Sequence, residues 1–176
     1  MSLTALPEVP GFSHQALLPS LARDVLRVGP EGLGVMTAAR QVGGLIGIAL
    51  TSTLGAARSL GPLFLTVLVA FGASLVSLGL ADTFVLVVLI LVGANALGAV
   101  TDVLAQTLIQ LTVPSDRRGR AGGAWVVAIG MAPLGQFQIG ALASLFGVGA
   151  ALGVNGLALM AVGAAAAFLV PKLRKL

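Results

Sequence analysis

Charge is what this sequence has least of. Only 9% of its 176 residues are Asp, Glu, Lys or Arg, against roughly 25% in soluble domains. With 57% hydrophobic residues and a mean hydropathy of +1.06, so short a chain has too little interior to hide its apolar surface from water. The composition therefore predicts an integral membrane protein. There is no cysteine, which excludes disulfides and thiolate metal sites. There is no tyrosine and only one histidine. His14 has no acid close by in the sequence and reads as a lone surface histidine. No Gly-rich loop ends in Lys-Ser or Lys-Thr, and no metal-ligand spacing occurs. These absences predict a protein that is not an enzyme, with no cofactor and no metal. The net charge of +4 and pI near 11.2 do not indicate nucleic acid, because the basic residues sit at the ends of apolar runs without interleaved aromatics. Residues 1–11 contain no basic residue before the first apolar stretch and do not read as a signal peptide.

What the sequence does have is glycine, 24 residues of it, and long apolar runs. Glycine lets helices approach closely in a bilayer, where packing rather than water exclusion drives association. Residues 1–31 are broken by Pro7, Pro10, Gly11 and Pro19. They are too interrupted for a span of ~20 residues, and read as an interfacial piece or the tail of a helix. Spanning helices are predicted at about 32–57, 62–81, 83–113, 121–145 and 150–170, giving a transmembrane bundle over 32–171. The third would run ~46 Å at 1.5 Å per residue, longer than a ~30 Å hydrocarbon core, so its last turns project from the membrane. Residues 121–170 carry no charge and are long enough for two spans, with Phe146-Gly147-Val148-Gly149 as the turn between them. Residues 172–176 form a basic tail.

Basic residues set the orientation. Five helices put Arg58, the cluster Arg117, Arg118 and Arg120, and the tail Lys172, Arg174 and Lys175 on one side, with Asp116. The other side has Arg23 and Arg27 against Glu8, Asp24, Glu31 and Asp82. The positive-inside rule places the first set in the cytoplasm. The N-terminus is then outside and the C-terminus inside, an arrangement that points to a helix absent from the front.

Ionisable groups inside a span are costly and invite functional hypotheses. Arg40 and Asp102 qualify. Arg40 lies ~12 Å in from the start of its helix and Asp102 ~28 Å in from the same side, so a direct bridge is not expected. Asp102 is nearer the Arg cluster, where it reads either as a latch on Arg117 or Arg120 or as a snorkelling acid at the interface. Asn95, Asp102, Gln106 and Gln110 follow spacings of seven, four and four and share one helix face. That face either lines a water-filled cavity or packs against polar neighbours. Arg40, with Thr37, Gly44 and Thr51 near its face, either binds an anionic group, pairs with an acid on a partner, or snorkels outward. Gln136 and Gln138 interrupt the fourth helix with Pro133, which is expected to kink it for gating or as a plain irregularity. Gly43/Gly47 and Gly149/Gly153 are i,i+4 pairs that suggest close packing faces. Thr51 and Thr53 read as ordinary helix hydroxyls.

Three stretches carry a resemblance. Leu17-Leu18-Pro19-Ser20-Leu21-Ala22-Arg23-Asp24-Val25-Leu26 with Val28-Gly29-Pro30-Glu31-Gly32-Leu33-Gly34 is one, Asn95 through Gln110 into Leu111-Thr112-Val113-Pro114 another, and Ser115-Asp116-Arg117-Arg118-Gly119-Arg120-Ala121-Gly122-Gly123 the third. In this order they resemble the C-terminal half of a major facilitator superfamily transporter, of the bacterial drug- or siderophore-exporter type, over residues 17–176. The resemblance implies an all-α fold whose five helices are equivalent to helices eight to twelve of the superfamily, with 1–31 a remnant of helix seven and its outer loop. It implies a secondary transporter, an efflux system for small molecules in the bacterial inner membrane. Arg40, Asn95, Asp102, Gln106 and Gln136 would be its cavity candidates, and Asp116, Arg117, Arg118 and Arg120 its cytoplasmic gating loop. Its partners would be the lipid bilayer, a small-molecule substrate once an N-terminal half completes the path, or another membrane protein chain. One departure stands out: the loop after the first span reads Gly55-Ala56-Ala57-Arg58-Ser59-Leu60-Gly61, without the acid usual in the family. The rival reading is a non-transporting remnant or a structural membrane subunit.

Overall fold

The computed structural model of the chain describes residues 13–54, 60–112, 119, 122–123, 126–127, 130 and 132–169. Among these there is no strand. An N-terminal helical segment comes first, passing from a 3-10 turn (Ser13–Leu17) through Leu18–Ser20 to a π-helical turn (Leu21–Val25). Five longer helices follow: α1 (Pro30–Leu54), α2 (Leu60–Leu80), α3 (Phe84–Thr112), α4 (Ala132–Phe146) and α5 (Val148–Leu169).

Their ends follow local chemistry. Pro30 opens α1 where its missing N–H costs nothing, and Glu31 in the first turn complements the helix dipole. Gly61 and Pro62 fall in the first turn of α2. The Thr83 carbonyl accepts the Val87 N–H at 3.0 Å and starts α3. Between α4 and α5 the chain turns on one residue, Gly147, whose φ of +88° suits glycine alone. Its N–H donates to the Ala143 carbonyl at 3.0 Å, and its carbonyl accepts from Ala151 at 3.1 Å.

Four helices are long and apolar enough to cross a membrane among the described residues: Pro30–Ser52, Leu60–Leu80, Phe84–Leu111 and Val148–Ala167. The fifth predicted span, 121–145, coincides in part with α4. At 15 residues α4 covers only ~22 Å, and much of 113–131 lies outside the described residues. The main packing joins helices that are not neighbours in sequence: α1 packs on α3 and α2 on α5, with α2 also on α3, and α4 on α5 and on the N-terminal segment.

Glycine controls two of these seams. Gly43 and Gly47 of α1 sit directly over the Val92 and Ala96 carbonyls of α3. Gly72 and Gly79 of α2 meet Gly156 and Gly149 of α5, and a Cβ added at either α5 position would fall 2.6 Å from the facing carbonyl oxygen. The pairings run 43 with 92 and 47 with 96, so α1 and α3 are parallel; 72 with 156 and 79 with 149 make α2 and α5 antiparallel. On α5 the packing repeat is seven residues, through Gly149 and Gly156 to Gly163, which lies against Val69 and Leu68. Gly153 faces open space. The i,i+4 pair expected at Gly149/Gly153 is therefore corrected to Gly149/Gly156, because the facing glycines of α2, Gly72 and Gly79, are themselves seven residues apart.

Two apolar clusters fill the bundle. One joins Phe64, Leu68 and Phe71 of α2 to Leu104 and Leu108 of α3 and Leu159 of α5. The other is centred on the N-terminal segment, whose Leu17, Leu18, Leu21 and Ala22 pack with Met36, Leu78, Leu91, Ile139 and Leu152 from all five helices. This segment is an inserted wedge. His14 is buried, 1% exposed, with its ring edge-on to Phe71 at 6.2 Å and 82°. The reading of His14 as a surface residue is thus wrong: the segment follows Leu17 and Leu18 into the core and carries the imidazole with it. After the wedge, the Val28 N–H reaches back to the Ala22 carbonyl at 2.9 Å. This wrap holds Arg27 at φ 52°, a left-handed conformation that costs a non-glycine residue about 1–2 kcal/mol.

Candidate functional site

The polar residues of α3 build the site. Along its face, burial falls steadily: Asn95 is 7% exposed, Asp102 is half-buried, and Gln106 and Gln110 are exposed. Asn95 donates through Nδ2 to the Leu91 carbonyl at 2.9 Å. Thr101 and Thr107 donate to the carbonyls of Leu97 and Val103 at 2.8 and 2.7 Å, so both hydroxyls serve their own helix. By helix angle, Asn95, Asp102 and Gln106 lie within about 40° of one another. They border the strip of Val92, Ala96 and Ala99 that α1 covers through Gly43 and Gly47. The result is a polar strip beside the α1 seam, closed at Asn95 and open at Gln106.

Arg40 lies one turn before Gly43 on α1 and is half-buried. The α1–α3 register brings it level with about position 89 of α3, and Asp102 level with about position 53 of α1. The two are therefore ~20 Å apart along the axes, beyond direct pairing. Around Arg40, Met36 and Ala39 are buried, while Gln41 and Val42 are exposed. Thr37 and Thr51 donate to the Leu33 and Ile48 carbonyls, which makes both ordinary helix hydroxyls; the Thr53 side chain is outside the described residues.

Gln136 is exposed on α4, as is Gln138, while Gly135 and Ile139 point inward. Because α4 packs chiefly on α5 and the N-terminal segment, Gln136 is not carried onto the α3 strip. Pro133 falls in the first turn of α4, where proline is tolerated. The preceding turn, where a kink would register, lies mostly outside the described residues. Asp116, Arg117, Arg118 and Arg120, and with them any latch on Asp102, also lie outside them. A shallow groove of 560 Å³ opens at the start of α1 between Val28, Glu31, Val35 and Phe84, away from the polar strip. No group of three or more His, Cys, Asp or Glu suited to a metal occurs among the described residues.

Sequence reasoning passed over Asn155. It is 2% exposed and is the one amide or ionisable side chain in α5, a signal readable from the sequence. It precedes Gly156 at the α2 seam.

Four apolar helices, one of them carrying a graded polar strip, fit a membrane transporter. No curated protein and no solved structure matches the chain. A family model described as "transmembrane secretion effector" matches residues 9–176. The chain thus belongs to the transmembrane secretion effectors, a transporter family of the major facilitator type.

Proposed function

We propose that the chain is the C-terminal part of a secondary transporter that exports small molecules, with five spanning helices equivalent to helices eight to twelve of the superfamily. In this reading the Arg117 loop and the basic tail face the cytoplasm and the start of α1 faces outward, in a bacterial inner membrane. Asn95, Asp102 and Gln106 line the path, Arg40 faces it from α1, and Gln136 joins it when a second helical half closes over the bundle. Asp116, Arg117, Arg118 and Arg120 form the cytoplasmic gate. The observation that carries the reading is the α3 strip, which grades from a buried amide through a half-buried carboxylate to exposed amides in an otherwise apolar bundle. A half-buried carboxylate is expensive in a span, and alternating access about a midplane site gives it a use.

The alternative is a non-transporting membrane subunit or remnant. It draws on α1, of whose spanning window only 22% is buried, against 44% for α2 and α3. Val42, Leu45, Ile46 and Ile48 face outward from it, a surface that lipid or another membrane protein would cover.

Proteoliposome transport decides between them. The chain is reconstituted alone and with a six-helix N-terminal half, and efflux of a fluorescent amphipathic compound is followed under an imposed ion gradient. Transport that needs the chain and is lost in Asp102→Asn supports the transporter. Efflux identical with and without the chain in both preparations refutes it in favour of the subunit.

A further inference from the structure

We propose that Arg40 is the binding site for an amphipathic organic anion, held with its charged group at the guanidinium and its apolar body along the gap that Gly44 leaves in α1. Such a ligand names the substrate class of the transporter proposed above, and the assignment rests on that reading.

Arg40 is the one charged residue of α1 beyond its first turn, and it is half-buried. It lies ten residues after Pro30, ~15 Å along the helix. That is the middle of a ~30 Å hydrocarbon core, below the level of lipid headgroups. The guanidinium makes neither a hydrogen bond nor an ion pair among the described residues. Glu31 and Asp82 are exposed and lie ~14 and ~10 Å nearer the helix starts, while Asp102 is ~20 Å farther along. A cation this deep is costly without a counter-charge. The buried Met36, Ala39 and Leu91 near its level lower the local dielectric and strengthen its pull on an anion.

The seam with α3 sets where such an anion sits. α1 meets α3 through Gly43 and Gly47, against Val92, Ala96 and Ala99. At about 100° per residue, Arg40 and Gly44 fall ~40° and ~80° to one side of that contact. Because the helices are parallel, Asn95, Asp102 and Gln106 fall on the same side of α3. Arg40 and Asn95 are ~9 Å apart along the axes. Between them, a Cβ added at Gly44 would meet nothing within 4 Å. The opening is thus cationic at Arg40, apolar along Gly44 and neutral but polar at Asn95. Farther along, the Asp102 carboxylate repels a second negative charge. The fit is a monoanion, a carboxylate or sulfonate that takes the planar guanidinium as a two-pronged donor, with an apolar body reaching toward Asn95.

The chain contains no cysteine, so Gly44→Cys places a single thiol in the gap. In the full chain in phosphatidylcholine liposomes, labelling by N-ethylmaleimide is followed with 1-naphthalenesulfonate or the neutral 1-naphthalenemethanol as competitor. The concentration that halves labelling should be at least about tenfold lower for the sulfonate, as one charge-assisted hydrogen bond predicts. Arg40→Gln should remove that difference. Arg40→Lys should keep part of it, since an ammonium supplies charge without the fork. Equal concentrations for the two competitors with Arg40 in place overturn the proposal, and that comparison holds even if Arg40→Gln fails to insert. A sulfonate preference that survives Arg40→Gln overturns it too, as does a thiol that never labels. Labelling reads binding rather than transport. Sulfonate protection in a chain that gives no efflux supports the site and refutes the transport reading; efflux without sulfonate preference overturns the site and leaves transport standing.

Discussion

The α2–α5 seam offers a sharp test, because its glycines differ in what a single methyl would strike. A Cβ at Gly156 would lie 2.6 Å from the Gly72 oxygen, 2.7 Å from Val76 Cγ2 and 2.8 Å from Val76 N. Two of these three atoms are backbone and cannot rotate away. Ordinary contact begins at 3.4 Å, so Gly156→Ala must push the helices apart by roughly 0.8 Å, a gap that forfeits a quarter to a half of the dispersion well for atoms along the seam. Overpacking of this kind typically costs about 1–3 kcal/mol. Three residues earlier, Gly153 has nothing within 4 Å. There alanine is free of clash and gains about 0.5–1 kcal/mol from lower backbone entropy in the unfolded helix. The two variants share chemistry, helix and neighbourhood. The backbone-entropy gain is common to both, so they should differ by the clash alone, about 1–3 kcal/mol. That is roughly fivefold or more in the unfolding equilibrium.

The measurement is unfolding of the purified chain in mixed micelles, with SDS mole fraction as denaturant and far-ultraviolet circular dichroism as readout. Gly156→Ala should move the midpoint to lower SDS, and Gly153→Ala should leave it in place or raise it. Gly72→Ala should resemble Gly156→Ala, because its Cβ would fall 2.7 Å from the Gly156 oxygen. The double variant should cost less than the sum, since one separation relieves both clashes. Equal midpoints for Gly156→Ala and Gly153→Ala would refute the seam as the source of stability.

The same contrast applies across α1 and α3: Gly43→Ala meets the Val92 backbone and should cost about 1–3 kcal/mol in the same titration, whereas Gly44→Ala, with nothing within 4 Å, should leave the midpoint in place or raise it, as at Gly153. At the α4–α5 joint, Gly147→Ala forces a side chain to φ +88° and should lose about 1–2 kcal/mol, again read from the SDS midpoint. For topology, Asp82→Cys and Ser115→Cys should label from opposite faces of sealed vesicles with an impermeant maleimide, the Ser115 position from the cytoplasmic face; labelling of both from one face refutes the proposed orientation.

The helix ends were legible because membrane helices are bounded by residues with simple local rules. Uncharged stretches supply the length, and Gly61-Pro62, Asp82 and Gly147 supply the breaks; the corresponding helices stop within a few residues of them. The seam at Gly43/Gly47 was legible for the same reason, since two glycines one turn apart leave a flat strip. The α5 seam was misassigned because an i,i+4 pair and an i,i+7 repeat share Gly149, and the choice between them depends on the partner. Gly72 and Gly79 repeat at seven, so only a matching interval on α5 keeps every glycine opposite another in an antiparallel pair. That information sits in two distant segments at once.

The N-terminal wedge was hidden for a related reason. Prolines and charges in residues 1–31 describe a piece that fails to span, and sequence periodicity has no category for a short helix seated inside a bundle. Yet Leu17, Leu18, Leu21 and Ala22 fall on one side of a helical turn, and all four are buried. A polar-ended segment with one continuous apolar side is marginal alone, so it must take its order from what it packs against. Here that is α1, α4 and α5 directly, within a cluster that draws on all five longer helices. This explains why His14, harmless in the sequence, ends in the interior. It also explains how the candidate site came to be read on α3 alone: the polar strip follows a periodicity of one helix, while the buried histidine follows from the meeting of several.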